Sequence, residues 1–529
     1  MTSRYALQGR IVTMDPHDTV IEDGVLYVGD GVIEDVRPAA DPPPPGHELT
    51  PRTASGGSVY PGLIELHNHL AYDVLQLWQV PRVYTNRDQW GGTGTYRQLV
   101  TGPMTVLGRD AALMPAVARY VEAKALINGT TTSQGIALFS NAGARRMYRG
   151  VLRNVEQPED PALPAATSRI ADIDAADARR FLDRLSRSQR LLLHLAEGTD
   201  ERAREHFRAL EFEPGKWAVT ENLVGIHCAA LTRADFDVLA EHGGAMVWSP
   251  LSNLLLYGRT ADVAAARAAG VAVALGSDWS ISGSKGLLGE LKTARLAAAG
   301  TFTDRELVAM ATRDAARILR WDAALGALRP GLRADLLAVA TTDPDPYRGL
   351  LLAADTDIRL VAVNGVPRYG TTRLMRKLAG DAAPSDPGPG APDGRLVNLL
   401  DANADPLVAG LTLPQATERL TAALATLPAR AERGLAPLAT ARPDEPPRWY
   451  LALDELQPTG AELRPRLPAH SAATGPSLAA PAPAPADLVP LTLDALTATH
   501  DKPYRTTLAA EANLPPTLRA ALTELLNPA

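Results

Sequence analysis

Two histidines one residue apart open the part of the chain that could carry chemistry. The segment 61–69, Pro-Gly-Leu-Ile-Glu-Leu-His-Asn-His, is an apolar run after a Pro-Gly turn that ends in His67 and His69. Because side chains alternate between the two faces of a β-strand, both imidazoles point the same way. His194 and His227 end two later apolar runs. Imidazoles from separate strand ends can therefore meet around one metal ion.

Asp278 completes this set, because it closes the apolar run 274–278. A buried unpaired carboxylate is costly, and a bound metal removes that cost. Three histidines and one aspartate, with a water, make a catalytic zinc site with an open position. The metal lowers the pKa of the bound water to about 7 and so supplies hydroxide at neutral pH. The fourth imidazole, His227, could ligate too, but it is better suited to polarising a substrate oxygen.

Glu197 follows His194 by three residues. If the strand ends at the histidine, the carboxylate lies in the next loop, within reach of a metal-bound water without binding the metal. Such a group can take a proton from water and return it to a leaving nitrogen. We therefore expect Glu197 to be a general acid and base.

These residues need a scaffold that brings strand ends together. From residue 61 onward, strand patterns alternate with helical ones, which indicates a parallel sheet covered by helices. Seven strands are predicted, with an eighth near 169–173. Helices are predicted over 109–128, 175–188, 287–299 and 303–320. In a β/α barrel the carboxyl ends of the strands form the active-site face.

The flanks of this region differ in composition. Short strand patterns occur at 5–36 and again at 336–339 and 358–363, with an Asn364-Gly365 hairpin signal. Residues 376–529 hold 23 of the 43 prolines and read as a Pro/Ala-rich linker with helices near 414–427 and 515–526. We expect removal of 385–529 to leave the metal content unchanged.

Composition restricts the partners. With 529 residues the chain exceeds one ordinary domain. The net charge of −7 argues against nucleic acid as a partner. No run of about 18 apolar residues predicts a membrane span, and the single cysteine, Cys228, fits a reducing cytoplasm. We expect a cytoplasmic protein with a small-molecule substrate; a homo-oligomer is left open.

Seven motifs occur in a fixed order along the chain, and together they point to one family. They are the segments 61–69, Gly129–Thr132, His194 with Glu197, His227-Cys228, Ser249–Leu254, Gly276–Asp278, and the closing Leu325–Gly326, Pro330–Leu336 and Val363–Gly365. In these motifs the chain resembles the amidohydrolase superfamily, in its branch of cytosine and guanine deaminases and triazine hydrolases. The resemblance covers roughly residues 5–375.

The resemblance implies an α/β fold, a distorted (β/α)8 TIM barrel with a composite β-sandwich domain built from both flanks of the barrel. The implied bounds are 1–57 and 327–375 for the β-sandwich, 58–326 for the barrel and 376–529 for the C-terminal extension. One divalent metal is expected, zinc first and iron as the alternative. Segment 130–139 contains no lysine that could bridge two metals. The implied ligands are His67, His69, His194 and Asp278; Glu197 and His227 act in catalysis, and Asp278 shares in activating the hydroxide.

Other features bear on the substrate. Trp279 follows Asp278 where a small residue is common in the family. The loop after His69 is long and carries four candidate substrate-binding residues, and Lys285 is also expected near the site. With Trp279, the candidates are Trp78, Arg82, Arg87 and Trp90.

The predicted function is hydrolysis of a non-peptide C–N bond of a small molecule, first of all deamination of an amino-heterocycle or amidine-like group. Hydrolysis of a cyclic amide of the imidazolone or hydantoin kind is the near alternative. A catalytically inactive binding homologue is the third reading.

Overall fold

We describe the protein from a computed structural model. The residues described are 4–169, 178–187, 189–298, 300–379, 385–388, 394–433, 446–453 and 487–526.

Eight short parallel strands, which form two sheets, carry the candidate residues. Three lie in one sheet and five in the other, and within the second sheet Leu193 pairs with Gly225 and Val247 pairs with Ala274. In chain order the strands are Leu63–Ile64, Thr130–Ser133, Arg153–Asn154, Thr167–Arg169, Leu191–Leu195, Leu223–His227, Ala245–Trp248 and Ala272–Leu275.

Two of these strands differ from the sequence prediction. The first strand ends at Ile64, so His67 and His69 lie beyond it. An isolated β-bridge between Asn68 and Asp278 lies between these two histidines in the chain. The weakly predicted eighth strand begins earlier than expected, at Thr167, and residues 170–173 lie outside the described ranges.

Helices alternate with these strands, so the described chain is a mixed α/β protein. Those between and after the strands are Gly94–Tyr96, Gly102–Gly108, Met114–Ile127, Ala178–Arg187, Glu201–Arg208, Arg233–Glu241, Pro250–Tyr257, Val263–Ala269, Leu287–Ala297, Asp304–Met310 and Arg313–Leu319. No helix among the described residues has the length and apolar character needed to cross a membrane.

The single helix predicted over 303–320 is wrong, because the chain breaks at Ala311 and Thr312. Thr312 has φ −138° and ψ −97°, outside the helical range. The carbonyl of Ala311 accepts the amide of Ile64 at 2.8 Å. A helix end is thereby tied to the strand that leads to the histidine pair.

A nine-stranded sheet joins both flanks of the eight parallel strands. In spatial order it contains Asp386–Pro387, Arg395–Val397, Val366–Thr371, Ile358–Val363, Leu336–Val339, Arg52–Pro61, Tyr5–Val12, Val20–Gly29 and Val32–Pro38. Leu336 pairs with Pro61, directly before the first of the eight parallel strands. The expected hairpin at Asn364-Gly365 is present, with both residues in the left-handed region at φ 49° and 71°.

The described parts of 376–529 pack on the rest of the protein. The strand Trp449–Leu451 pairs with Ala137–Ser140, which also pairs with Arg145–Met147. The helix Leu413–Ala425 packs on Met114–Ile127. Further elements include the hairpin Glu211–Glu213 with Lys216–Trp217, and the α-helices Pro346–Leu352, Thr372–Ala379, Leu427–Glu432, Lys502–Ala510 and Pro516–Leu526.

Candidate metal and catalytic site

His67, His69 and Asp278 meet at one end of the parallel strands. The Oδ1 atom of Asp278 lies 2.9 Å from His67 Nε2 and 3.4 Å from His69 Nε2. The backbone holds the same arrangement, because the amide of Asp278 donates to the carbonyl of His67 at 3.0 Å and the amide of His69 donates to the carbonyl of Asp278 at 2.6 Å. Two imidazoles therefore face one carboxylate oxygen.

Gln134 fixes the tautomer of His67. Its Oε1 accepts the backbone amide of Asn68 at 3.0 Å, which identifies this atom as the amide oxygen. The same oxygen lies 3.1 Å from His67 Nδ1, so the ring donates from Nδ1. The lone pair of Nε2 is then left facing Asp278, as in a ligating histidine whose other nitrogen is held by an outer partner.

His194 and His227 complete the cluster. Ligand atoms of His67, His194, His227 and Asp278 all lie within 4.8 Å of one another, and all four residues are buried. His69 adjoins them, with its ring centroid 5.4 Å from that of His194. The strand ends thus bring together the four histidines and the aspartate singled out in the sequence.

A relay of hydrogen bonds sets the tautomer of His227. The Trp248 indole donates to Thr260 Oγ1 at 2.6 Å, and this hydroxyl donates to Asn253 Oδ1 at 3.3 Å. The Asn253 amide nitrogen therefore faces His227 and donates to its Nδ1 at 3.0 Å. A neutral imidazole that accepts at Nδ1 carries its proton on Nε2. His227 thus offers a donor to the site, in contrast with His67.

Glu197 is held by two donors. The Tyr257 hydroxyl donates to Oε1 at 2.8 Å, and Arg87 Nη1 donates to Oε2 at 3.0 Å. Oε2 also lies 4.0 Å from Nε2 of His227. The Trp90 indole donates to the Tyr257 hydroxyl at 3.1 Å, which orients that hydroxyl toward the carboxylate. The carboxylate is 5% exposed and borders the histidine cluster.

Burial and neighbouring charges shift the pKa values of these groups. Burial raises the pKa of the Asp278 carboxyl, whereas the positive charge of the surrounding imidazoles, His67 foremost, lowers it below its ordinary value when those rings are protonated. Burial lowers the pKa of His227 to about 4 and that of His194 well below its ordinary value. Neutral histidines beside a charged carboxylate are the protonation states that metal binding requires.

The backbone is strained where the site residues leave their strands. Ala196, His227, Cys228 and Asp278 have φ between 50° and 69°, and they are four of the ten non-glycine residues with positive φ among the described residues. Such conformations cost about 1–3 kcal/mol each and cluster at functional sites. Here they turn side chains from three different strand ends toward one point.

Trp279 lies beside the cluster in an aromatic group supplied by the loop after His69. Its ring centroid is 5.1 Å from that of His69 and 5.4 Å from that of Tyr72. Trp90 and Tyr96 lie 6.2 and 6.4 Å from it. Trp279 and Trp90 are therefore close to the site.

Trp78 and Arg82 contact aromatic rings of the same loop, not the histidines of the cluster, in the contacts described for them. Trp78 is buried against Tyr84 and Tyr96. Arg82 is exposed, with its guanidinium 5.0 Å from the Tyr84 ring centroid. Among the arginines expected at the site, Arg87 is the one that contacts Glu197.

The sequence predicted Lys285 to lie near the site, but its ammonium group pairs with carboxylates of the C-terminal extension instead. Its ammonium is buried and pairs with Asp494 at 2.7 Å and Asp501 at 2.8 Å, both in the C-terminal extension. Asp494 lies more than 200 residues after Lys285 in the chain, so no local sequence pattern could indicate this pair.

Sequence reasoning also missed the polar residues that hold the site. Ser252 donates to Asp278 Oδ2 at 2.6 Å, and the buried Glu65 accepts from Ser133 and from the amide and hydroxyl of Ser277. Burial raises the pKa of Glu65 to about 7. Glu65 lies two residues before His67 in the predicted strand, so the period-2 alternation could have identified it.

Comparison with known proteins places this chain beside deaminases. The model of the amidohydrolase family matches residues 192–377. A 5-methylthioadenosine/S-adenosylhomocysteine deaminase from Symbiobacterium thermophilum is 27% identical over 385 residues, which cover 64% of this chain and 85% of the relative.

Two solved structures share the fold. An adenosine deaminase from Xanthomonas campestris with bound zinc has a TM-score of 0.55 at 19% identity, and covers 79% of this chain and 98% of its own. The E. coli guanine deaminase has a TM-score of 0.52 at 18% identity, and covers 69% and 99%. Their TIM-barrel fold is the architecture expected from the motifs. The family match, the relatives and the fold neighbours are together consistent with the amidohydrolase superfamily.

Proposed function

We propose that the protein is a metal-dependent deaminase that replaces the exocyclic amine of an amino-heterocycle with oxygen and releases ammonia. The observation that carries this proposal is the buried cluster of imidazoles and Asp278 with the doubly held carboxylate of Glu197 at its edge. Deaminases among the relatives and fold neighbours support this reaction over cyclic-amide hydrolysis.

The donor set fits one divalent ion. Nε2 of His67 and Nδ1 of His194 are buried nitrogens without a hydrogen-bond partner, and such orphaned atoms call for an explanation such as an ion. We propose His67, His69, His194 and Asp278 as ligands, with zinc as the metal because the similar adenosine deaminase structure contains it. Iron is the alternative. When bound, the ion lowers the pKa of a coordinated water and polarises the reacting carbon.

The chain's own residues then move the protons. Glu197, oriented by Arg87 and Tyr257, takes a proton from the attacking water at one carboxylate oxygen. It returns this proton to the leaving nitrogen, which departs as ammonia. His227 donates from Nε2 to the substrate ring as negative charge develops there. Asp278 Oδ1, between His67 and His69, assists in withdrawing the water's second proton, which ends on the ring nitrogen beside the reacting carbon as the new carbonyl forms.

The scaffold of the proposal is a closed (β/α)8 barrel over 58–326, with a β-sandwich domain from 1–57 and 327–375 and a C-terminal extension over 376–529. Its support is the contact between the first and last barrel strands, where the amide of Leu66 lies 3.4 Å from the carbonyl of Leu275 and Asn68 bridges to Asp278. Closure aims all eight strand ends at one site.

The substrate class we propose first is an adenine nucleoside, because the relatives named above deaminate such compounds and Trp279 and Trp90 offer planar faces near the cluster. The test is a screen of the purified protein, with its metal quantified, against adenine nucleosides, other amino-heterocycles and cyclic amides. Ammonia release with exchange of the amine for oxygen supports the proposal. Ring opening without ammonia, or a protein that neither binds metal nor turns over any of these compounds, contradicts it.

A further inference from the structure

The strongest unexplained feature outside the catalytic cluster is a buried charge network at the C-terminal extension. Asp494 is fully buried, and its Oδ2 accepts from Lys124 at 2.5 Å and from Lys285 at 2.7 Å. Both lysines are also buried, at 1% and 5% exposure. Lys285 makes a second pair, with Asp501. Burying so many charges is favourable only when each is paired, so this part of the extension is built into the protein.

The backbone of Asp494 takes part as well. Its amide donates to the carbonyl of Val74 at 3.0 Å, and its carbonyl accepts the hydroxyl of Tyr120. Lys124, besides holding Asp494, donates to the carbonyl of Asp73 at 2.8 Å. Asp494 and Lys124 therefore grip the loop that begins four residues after His69.

That loop is fastened in turn to the loop after Asp278. The Asp73 carboxylate accepts the amide of Ser280 at 2.7 Å, and the Ser280 hydroxyl donates to the carbonyl of Leu75 at 2.7 Å. Lys285, on the same loop as Ser280, returns to Asp494. The network thus closes a ring through both segments that bear the proposed metal-facing residues.

Two further hydrogen bonds join the C-terminal extension to elements around the site. The Glu511 carboxylate accepts the amide of Val80 at 3.3 Å, in the loop after His69. Asn513 donates to the carbonyl of Leu255 at 2.7 Å, in the helix Pro250–Tyr257. This helix carries Ser252, Asn253 and Tyr257, each of which holds a site residue.

We infer that Asp494 is a positioning residue: residues 487–526 act as a clamp that holds the loops after His69 and Asp278 in the geometry of the metal site. This inference rests on the proposed function, and it replaces the expectation that the extension can be removed without effect on metal. The clamp acts through Asp73, Ser280 and Lys285, and no residue of the clamp touches the reacting atoms.

The test compares Asp494→Asn with Asp487→Asn, the same change at an exposed position of the same segment, in the full chain. We expect Asp494→Asn to raise the Kd for Zn²⁺ at least about tenfold. Amide hydrogen exchange in 70–80 and 280–285 should become at least about tenfold faster, while exchange in the sheet strands 5–12 and 20–29 stays unchanged. Asp487→Asn should alter neither. Unchanged exchange and zinc affinity in Asp494→Asn overturn the inference.

The double variant Asp494→Asn with Lys124→Met separates positioning from stability. In Asp494→Asn the buried Lys124 loses its carboxylate partner, which is destabilising. Lys124→Met removes that unpaired charge, so the thermal midpoint should recover. Zinc affinity and loop exchange should stay altered, because the bonds from Lys124 to Asp73 and from Asp494 to Lys124 are both missing. Recovery of zinc affinity together with stability reduces Asp494 to a structural role and overturns the inference.

If Asp494→Asn does not fold, Asn513→Ala is the milder variant, since it removes one bond from a half-buried side chain. It should speed exchange in 250–257 and lower kcat without unfolding the protein; unchanged exchange there contradicts the clamp. Hydrogen exchange needs no substrate. A wild-type chain without deaminase activity would therefore contradict the proposed function while the clamp is still tested.

Discussion

The Tyr257 hydroxyl donates to one oxygen of the Glu197 carboxylate, and Arg87 donates to the other. The three residues come from separate elements: Tyr257 from a helix, Glu197 from the loop after a parallel strand, and Arg87 from the loop after the histidine pair. A carboxylate held at both oxygens has a fixed orientation. Glu197 needs such an orientation, because in the proposed reaction it contacts first a water and then a leaving nitrogen.

Glu197→Gln should retain the metal and lose turnover. A glutamine of the same shape can still be held by its neighbours but cannot accept and return a proton. We expect kcat to fall at least about a hundredfold, the low end for a general acid and base. Metal content per chain and steady-state ammonia release measure the two properties. Near-normal turnover in this variant removes Glu197 from the mechanism.

Tyr257→Phe removes one of the two donors to Glu197. A hydrogen bond to a charged group contributes about 1.5–3 kcal/mol, so kcat should fall about tenfold or more. Metal content should stay the same, because Tyr257 does not contact the proposed ligands through any described hydrogen bond. A fall in metal content with unchanged kcat per bound metal would assign Tyr257 a role in the metal site instead.

Arg87→Ala removes the other donor, and Arg82→Ala is its matched control. Both arginines lie on the loop after His69, but Arg82 is exposed above Tyr84 whereas Arg87 reaches Glu197. We expect kcat to fall at least about tenfold in Arg87→Ala and to stay within about twofold in Arg82→Ala. Equal effects of the two changes would mean that the loop's fold, not the Arg87 contact, governs activity.

Asn253→Asp tests the tautomer of His227. A carboxylate in this position accepts from Nδ1, so the proton moves to that nitrogen and Nε2 loses its donor. We expect a fall in kcat of at least about a hundredfold with full metal content. The measurement is kcat beside metal per chain. Near-normal kcat in this variant would contradict the donor role given to Nε2 of His227.

Glu290 makes stability depend on pH. Burial raises the pKa of this carboxyl to about 8, while its Oε1 accepts the amide of Leu251. In the unfolded chain the group ionises near its ordinary value of 4.5. Between these values the folded state keeps a proton that the unfolded state has lost. This group's contribution to stability therefore falls as pH rises from about 5 to 8, by up to about 1.4 kcal/mol per pH unit.

Glu290→Gln should remove that dependence. Relative to wild type, its thermal midpoint should increase steadily from pH 5 to pH 8 and then level off. Glu205→Gln, the same change on an exposed helix position, should show no such trend. A constant difference between Glu290→Gln and wild type across this range would mean that Glu290 does not titrate there.

The sequence by itself determined which residues converge. Alternation along a strand places His67 and His69 on one face, and the ends of apolar runs place His194, His227 and Asp278 at strand termini, because these follow from local backbone geometry. Parallel strands end at one edge, so the meeting point followed as well. The same rule could have added Glu65, two residues before His67.

Tertiary structure alone decided how these residues are held. The proton positions on His67 and His227 depend on Gln134 and Asn253, which reach them only through the packing of other strands and helices. Contacts such as Arg87 with Glu197, or Lys124 with Asp494 across 370 residues, cannot be predicted from sequence periodicity. A lysine or arginine on the surface has the same local sequence pattern as one that forms such a pair. Their partners are chosen by the fold, which is why a proline-rich extension that reads as a linker packs against the metal-site loops.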